Sequence, residues 1–191
     1  MSLRGLYYHF WTHRVTRPIH EKIHEDFLSR VSVERGARVL DIGCGTGFYS
    51  QFFKDVDYTG IDLSDACIRE ASRRHTGKFL CRNAASTGFP GGSFEVIFCA
   101  NVIHHLDDRT FADMLKEARR IAAPDAQIVL YDVYRKPGQP WPTRLAYALD
   151  FGGYVRPLDE IKKILEASGM QFSLSFSRMS VYDYYCALIR P

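Results

Sequence analysis

Apolar positions recur in two rhythms along this chain, one of about four residues and one of two, and the rhythms alternate. Ile19, Ile23, Phe27 and Val31 follow one another at intervals of four behind Thr16 and Pro18, which predicts a helix with a single apolar stripe, ended by Gly36. Ala37 to Ile42 then reads as a short buried strand running directly into Gly43-Cys44-Gly45-Thr46-Gly47, where a second helix is expected to begin. A strand is predicted at Tyr58 to Asp62, a helix at Ser64 to His75, a strand at Lys78 to Arg82 and an apolar strand at Phe94 to Asn101. The helix Asp107 to Ala123 carries Phe111, Leu115, Ala118 and Ile121 on one face, with Asp107 and Asp108 at its start, where carboxylates oppose the positive end of the helix dipole. A fifth strand is predicted at Gln127 to Val133. Strand and helix alternating in this way argue for a parallel sheet covered by helices on both faces.

Beyond Arg135 the rhythm breaks. Pro137, Gly138, Pro140 and Pro142 interrupt regular structure, and the aromatic-rich stretch Trp141 to Tyr154 reads as an insertion. Leu158 to Ser168 is again amphipathic and closed by Gly169, and two alternating strands, Gln171 to Ser177 and Val181 to Arg190, follow. The 191 residues suit one domain, with 1–35 as an N-terminal helical cap or lid and 135–157 as a variable segment. A chain of this length buries roughly 70% of its unfolded surface and needs no disulfide or structural metal.

Composition narrows the class without deciding it. The net charge of +3 is too small to argue for a nucleic-acid partner. Five scattered cysteines without a C-x-x-C pair fit a reducing, cytoplasmic setting better than a disulfide framework or a zinc ribbon. Met1 to Arg17 lacks the unbroken apolar stretch of a signal peptide, and no apolar run approaches the roughly 18 residues of a membrane span.

The chemistry concentrates at the first strand. Three glycines spaced two apart let the backbone take positive φ and admit a ligand to contact distance, at the carboxyl end of a strand where doubly wound sheets bind ligands. A dinucleotide fingerprint needs its third glycine at position 48, which is Phe48. Asp41 at the strand end favours a ligand with a cationic group, and Asp62, closing the second strand, stands where a carboxylate accepts from both hydroxyls of a ribose. Together these describe an adenosine with a charged, phosphate-free tail.

With those residues in order, the chain resembles the class I S-adenosylmethionine-dependent methyltransferases of the small-molecule type, from Gly36 onward. Asp62-Leu63-Ser64 resembles the family's second motif and Arg82-Asn83-Ala84-Ala85 its third. Phe89-Pro90-Gly91-Gly92-Ser93-Phe94-Glu95-Val96-Ile97 resembles the fourth, and Asn101-Val102-Ile103-His104-His105-Leu106 its usual extension. The resemblance implies an α/β fold: a doubly wound, Rossmann-like, seven-stranded sheet, mostly parallel with an antiparallel C-terminal strand, in an α/β/α sandwich. It implies S-adenosylmethionine as cofactor and S-adenosylhomocysteine as product. Gly43 and Gly45 are then expected at the methionine part, Asp62 at the ribose, Leu63 and Ala84 on the adenine faces, Asn83 at the adenine amine and Asn101 at the methionine end. Three positions depart from the pattern: Asn83 and Glu95 stand where Asp is common, and Pro124-Asp125-Ala126 replaces a Pro-Gly-Gly turn.

Other residues invite sharper readings than they support. Cys44 counts among the cofactor-contacting residues; as a thiol at a helix start it can be read as a nucleophile, but a small packing residue is the expected role. His104 and His105 fall near the expected methyl position, where one can act as a base; lining or structural histidines are the more ordinary reading. The pairs His9/His13 and His20/His24 have metal-binding spacing without a third ligand, and solvent-facing histidines are expected there. Tyr8 and Trp11 in the aromatic, basic N-terminus, with His105, Trp141 and Tyr147, are candidate acceptor contacts, in walls read as apolar and aromatic. That N-terminus is a lid, a peripheral membrane contact or a packed helix. The expected function is methyl transfer to a small-molecule, hydrophobic or aromatic acceptor, with no nucleic acid, metal or membrane span. The alternatives are a non-catalytic S-adenosylmethionine-binding partner subunit and a nicotinamide-dependent oxidoreductase.

Overall fold

The computed structural model describes residues 17–149 and 153–191. Helix α1 (Arg17–Arg30) buries the predicted stripe: Ile23 and Phe27 are fully enclosed, and the Phe27 ring meets those of Phe53 and Phe98 edge-on. After it come β1 (Arg38–Ile42), β2 (Asp57–Asp62), α2 (Asp65–Arg74), β3 (Lys78–Cys81) and β4 (Phe94–Ala100). Then follow α3 (Asp108–Ile121), β5 (Ala122–Val133), α4 (Trp141–Leu149), α5 (Leu158–Ala167), β6 (Gln171–Met179) and β7 (Tyr182–Arg190). Among the described residues the strands form one seven-stranded sheet in the order β3-β2-β1-β4-β5-β7-β6, with β7 antiparallel to both of its neighbours. This is the Rossmann-like methyltransferase fold that the sequence led us to expect.

Two apolar layers hold the helices to the sheet. On one face α1, α2 and α4 pack through Ile23, Phe27, Ile68, Ala71 and Tyr147; on the other, α3 and α5 pack through Phe111, Leu115, Ile121, Ile161 and Leu165. Helix α3 starts as its sequence predicts, with the Asp107 carboxylate accepting from the Thr110 N–H at 2.7 Å. The parallel register aligns Ile42 with Ile61 on one side and Cys99 on the other, and Ala100 with Tyr131. The residues that follow β1, β2, β4 and β5 therefore emerge side by side along one edge of the sheet.

Three local expectations are corrected. No α-helix starts in the glycine turn; a 3-10 segment, Phe48–Phe52, follows it instead. Ser50 Oγ and Gln51 Nε2 donate to the carbonyls of Gly47 and Phe48, offering those acceptors side-chain partners within one turn, and Asp55 then reverses the chain at φ 58°. Strand β5 begins at Ala122, so Pro124-Asp125-Ala126 lie inside it, where a register shift against β4 interrupts the ladder and tolerates a proline. The expected insertion at Trp141 to Tyr154 contains helix α4: Pro142 falls in the first turn, where its missing N–H costs nothing.

Candidate functional site

The edge formed by the strand ends brings the glycine turn, Asp62 and Asn101 together. Gly43 donates to the Ile61 carbonyl at 2.8 Å and sits at φ 72°; a Cβ there would lie 2.2 Å from Val102 Cγ2, so the loop after β4 closes down on the turn only because position 43 is glycine. Gly45, at φ 54°, donates its N–H to Asp62 Oδ2 at 2.9 Å, and Asp62 Oδ1 accepts from the Ser64 N–H at 2.8 Å. Ser64 itself caps α2. An ionised carboxylate has about four acceptor positions, so the half-buried Asp62 retains capacity for a pair of hydroxyls. Beside it Leu63 is 68% exposed, a large apolar side chain left uncovered by the fold.

The third motif forms a turn in which Asn83 Oδ1 accepts from the Ala85 N–H at 2.9 Å, with Ala84 packed against the core. Asn83 is exposed, and its Oδ1 keeps a second lone pair. Asn101 is a non-glycine residue at φ 59°, a conformation asparagine tolerates better than most. Its Oδ1 accepts from the Tyr184 hydroxyl at 2.8 Å, and its N–H donates to the Tyr131 carbonyl. Glu95, the other departure, pairs with Arg38 through both backbone N–H and guanidinium, where β1 and β4 begin, away from the glycine turn.

Asp41 is 1% exposed and accepts from the Tyr58 hydroxyl at 2.6 Å. Burial, with the nearby Asp62 charge adding to it, raises its carboxyl to about 7 against the opposing Tyr58 bond. The carboxylate read as facing a cationic ligand is thus enclosed against a tyrosine. Cys44 is buried, and a Cβ on Gly60 would stand 2.8 Å from its sulfur. Burial, then the Asp41 and Asp62 charges, push its thiol up, which removes the nucleophile reading and leaves the side chain in a packing role.

The two histidines after β4 diverge. His104 is 6% exposed and its Nδ1 lies 2.6 Å from Asp132 Oδ1, whose second oxygen accepts from the N–H groups of Ile103 and His104. Burial works against the Asp132 charge, but the His104 ring and the N–H groups of Val133 and Ile103 hold its carboxyl below the usual range. His105 is exposed, its ring centroid 4.1 Å from that of His104. Tyr58, Asp132 and Tyr184 were missed by sequence reasoning. Asp132 alone carried a signal, as an ionisable residue in the apolar run Ile128 to Val133.

The residues expected on the acceptor side divide between core and surface. Tyr147 is buried and its hydroxyl is taken up by the backbone of Tyr134 and Asp183, while Trp141 is 73% exposed. Of these two aromatic groups, one thus turns into the core and the other out to solvent. A cavity of about 410 Å³ is bordered by Arg135, Lys136, Gln139, Arg144 and Tyr147. Another, of about 650 Å³, lies between residues 107–109 and 153–157 and is bordered by Asp107, Asp108, Arg109, Arg135 and Tyr154. His20 and His24 are half-buried rather than fully solvent-facing: they pack on Phe48 and Phe52. Among the described residues, no three His, Cys, Asp or Glu side chains converge to hold a metal, and no helix is long and apolar enough to cross a membrane. Tyr8, Trp11, His9 and His13 lie outside the described residues.

Known proteins share both this fold and this sequence order. A family model described as a methyltransferase domain matches residues 39–125, from β1 into β5. The O-methyltransferase rstn1 of Aspergillus nomiae is 31% identical over 173 residues, covering 84% of this chain and 72% of that protein. Phosphoethanolamine N-methyltransferase 1 of Triticum aestivum is 28% identical over 155 residues, 76% of this chain, but the match spans only 30% of that longer protein. In fold, the magnesium protoporphyrin IX methyltransferase of Synechocystis PCC 6803 with bound S-adenosylhomocysteine gives a TM-score of 0.69 at 18% identity, covering 90% of this chain and 81% of that one. The chain belongs to the class I S-adenosylmethionine-dependent methyltransferases. It is an enzyme of methyl transfer, with S-adenosylmethionine as its cofactor.

Proposed function

We propose that this enzyme methylates a small molecule with a hydrophobic or aromatic body, using the strand-end edge for the cofactor and the region of residues 103–108 and 153–157 for the acceptor. The observation that carries the cofactor half is the pairing of Asp62, with acceptor positions to spare, and Leu63, uncovered beside it: hydroxyls and an apolar ring find adjacent partners. In this reading Asp62 holds the ribose, Leu63 and Ala84 flank the adenine, Asn83 accepts from its amine, and Gly43, Gly45 and Asn101 border the methionine end. The cofactor supplies a methyl group on a positively charged sulfur, and the protein's work is to position two reactants and exclude water.

On the acceptor side, the 650 Å³ cavity falls within the usual range of about 300–1,000 Å³ for small-molecule sites. Tyr154, 47% exposed on its border, offers an aromatic surface, and the charges around it suit a polar substituent on the acceptor. His105, exposed next to the buried His104–Asp132 pair, is the candidate base for an acceptor that must lose a proton. His105→Ala is expected to lower turnover while leaving cofactor affinity within about twofold. Equal losses of both would remove the base role.

The first test is calorimetric titration of the protein with S-adenosylmethionine, S-adenosylhomocysteine and NADH in parallel. Binding of the two adenosyl compounds alone is expected, and opens a screen of aromatic and lipid-like acceptors. NADH is not expected to bind, since Phe48, buried in a 3-10 turn, stands where a dinucleotide site needs glycine at a helix start. Adenosyl binding without turnover on any aromatic or lipid-like acceptor would overturn the proposed acceptor class.

A further inference from the structure

Arg156 is 4% exposed although it follows the glycine-rich end of the 135–157 segment. Its guanidinium gathers acceptors from both sides of the acceptor region. Nη1 donates to the carbonyls of Ile103 and Tyr154, both at 3.2 Å; Nη2 donates to the Leu106 carbonyl; Nε donates to Asp108 Oδ1 at 2.7 Å. The same two stretches are joined again by the backbone, Tyr154 N–H to the His104 carbonyl at 2.9 Å, and the Arg156 carbonyl accepts from Arg135 N–H at 2.8 Å. The Arg156 cation also lies 5.6 Å from the ring centroids of Phe111 and Tyr154. Its one carboxylate partner among the described residues, Asp108, is 73% exposed, so that ion pair is well screened and the carbonyl bonds must carry much of the restraint.

The acceptors sit in a pattern that matters for His105. Ile103 and Leu106 flank the two histidines, so the guanidinium fixes both ends of the short turn that presents the His105 ring, while Asp132 fixes that turn from β5 through the Ile103 and His104 N–H groups. A planar guanidinium with five N–H groups can reach acceptors in several directions at once; an ammonium on a flexible stem is a single point and cannot hold both flanks.

We propose that Arg156 is a positioning residue for methyl transfer: it sets the 103–108 loop, with His105, and the 153–157 segment as one piece bordering the acceptor. This rests on the reading of that region as the acceptor side. The test uses Arg156→Lys in the full chain, with hydrogen exchange read by mass spectrometry, imidazole ¹⁵N spectra, and calorimetry with S-adenosylhomocysteine. Exchange in both 103–108 and 153–157 is expected to rise by about tenfold or more while 43–47 stays unchanged, because only the restrained pair of segments loses its anchor. The His105 ring signals are expected to move, and the S-adenosylhomocysteine dissociation constant to stay within about twofold. Unchanged exchange, a rise in one segment only, or stationary His105 signals would each overturn the proposal, as would loss of S-adenosylhomocysteine binding together with loosening of 43–47. Should Arg156→Lys not fold, Asp108→Asn removes one exposed anchor and is expected to give the same paired rise at about two- to threefold; no paired rise there overturns it equally. A wild-type protein that fails to bind S-adenosylhomocysteine would count against the proposed cofactor site, whereas the exchange pattern decides the coupling of the two segments by itself.

Discussion

Asp62 is engaged before any ligand arrives, since it accepts from the Gly45 and Ser64 N–H groups, so the same carboxylate shapes the glycine turn and offers its remaining acceptor positions to a ligand. Asp62→Ala is expected to weaken S-adenosylmethionine binding by about ten- to hundredfold, the effect of losing hydrogen bonds of about 1.5–3 kcal/mol to a charged group. An unchanged dissociation constant in calorimetry would refute the ribose assignment. Asp41 behaves differently: it is buried, and its partner among the described residues is the neutral Tyr58 hydroxyl. Its folded carboxyl, at about 7, lies above the ordinary 3.8, so the native state holds a proton that the unfolded chain has released between those values. Its contribution to stability is therefore full in acid and declines as pH rises toward 7. Asp41→Asn, which keeps an acceptor for Tyr58, is expected to gain in melting temperature relative to wild type as pH goes from about 5 to about 8. Parallel melting curves across that range would show that Asp41 titrates normally.

At the scale of elements, the turn after β3 is fixed by α3. Glu117 Oε1 accepts from the Thr87 N–H at 2.8 Å and its hydroxyl at 2.6 Å, and Arg120 completes the group. The Arg120 hydrogen bond, helped by Thr87 against burial, holds the Glu117 carboxyl down at about 2, so this support is present above the ordinary range and fades only as pH falls toward 2. Glu117→Ala is expected to cost about 1–3 kcal/mol in denaturant unfolding, by leaving the Thr87 donors unpaired. A loss below about 0.5 kcal/mol would mean that water replaces the carboxylate. The strands and most helices were legible because their apolar periods are local. The 3-10 turn after Gly47 and the helix within the proline-rich stretch were not: in the first, Ser50 and Gln51 compete for the backbone, and in the second, Pro142 marks a start that reads as an interruption. The same limit applies to the site. Gly43, Gly45 and Asp62 stand out by residue type within one strand-turn-strand unit; Tyr58 lies in that same unit but reads as one more apolar strand position, and His104 finds Asp132 across 28 residues and Tyr184 finds Asn101 across 83, distances over which no spacing rule operates.

The molecule as a whole is ordered by a strand that follows both of its neighbours in sequence and is inserted between them. β7 lies between β5 and β6, and its Tyr184 hydroxyl reaches the Asn101 amide at the end of β4. A ribosome releases the glycine turn, Asp62 and both histidines long before it releases Tyr184. During synthesis, then, a growing chain can form the glycine turn and Asp62 early, but the left-handed Asn101 gains the Tyr184 hydroxyl only once residues 182–190 have entered the sheet. Insertion of β7 and the clamping of Asn101 are in this sense one event.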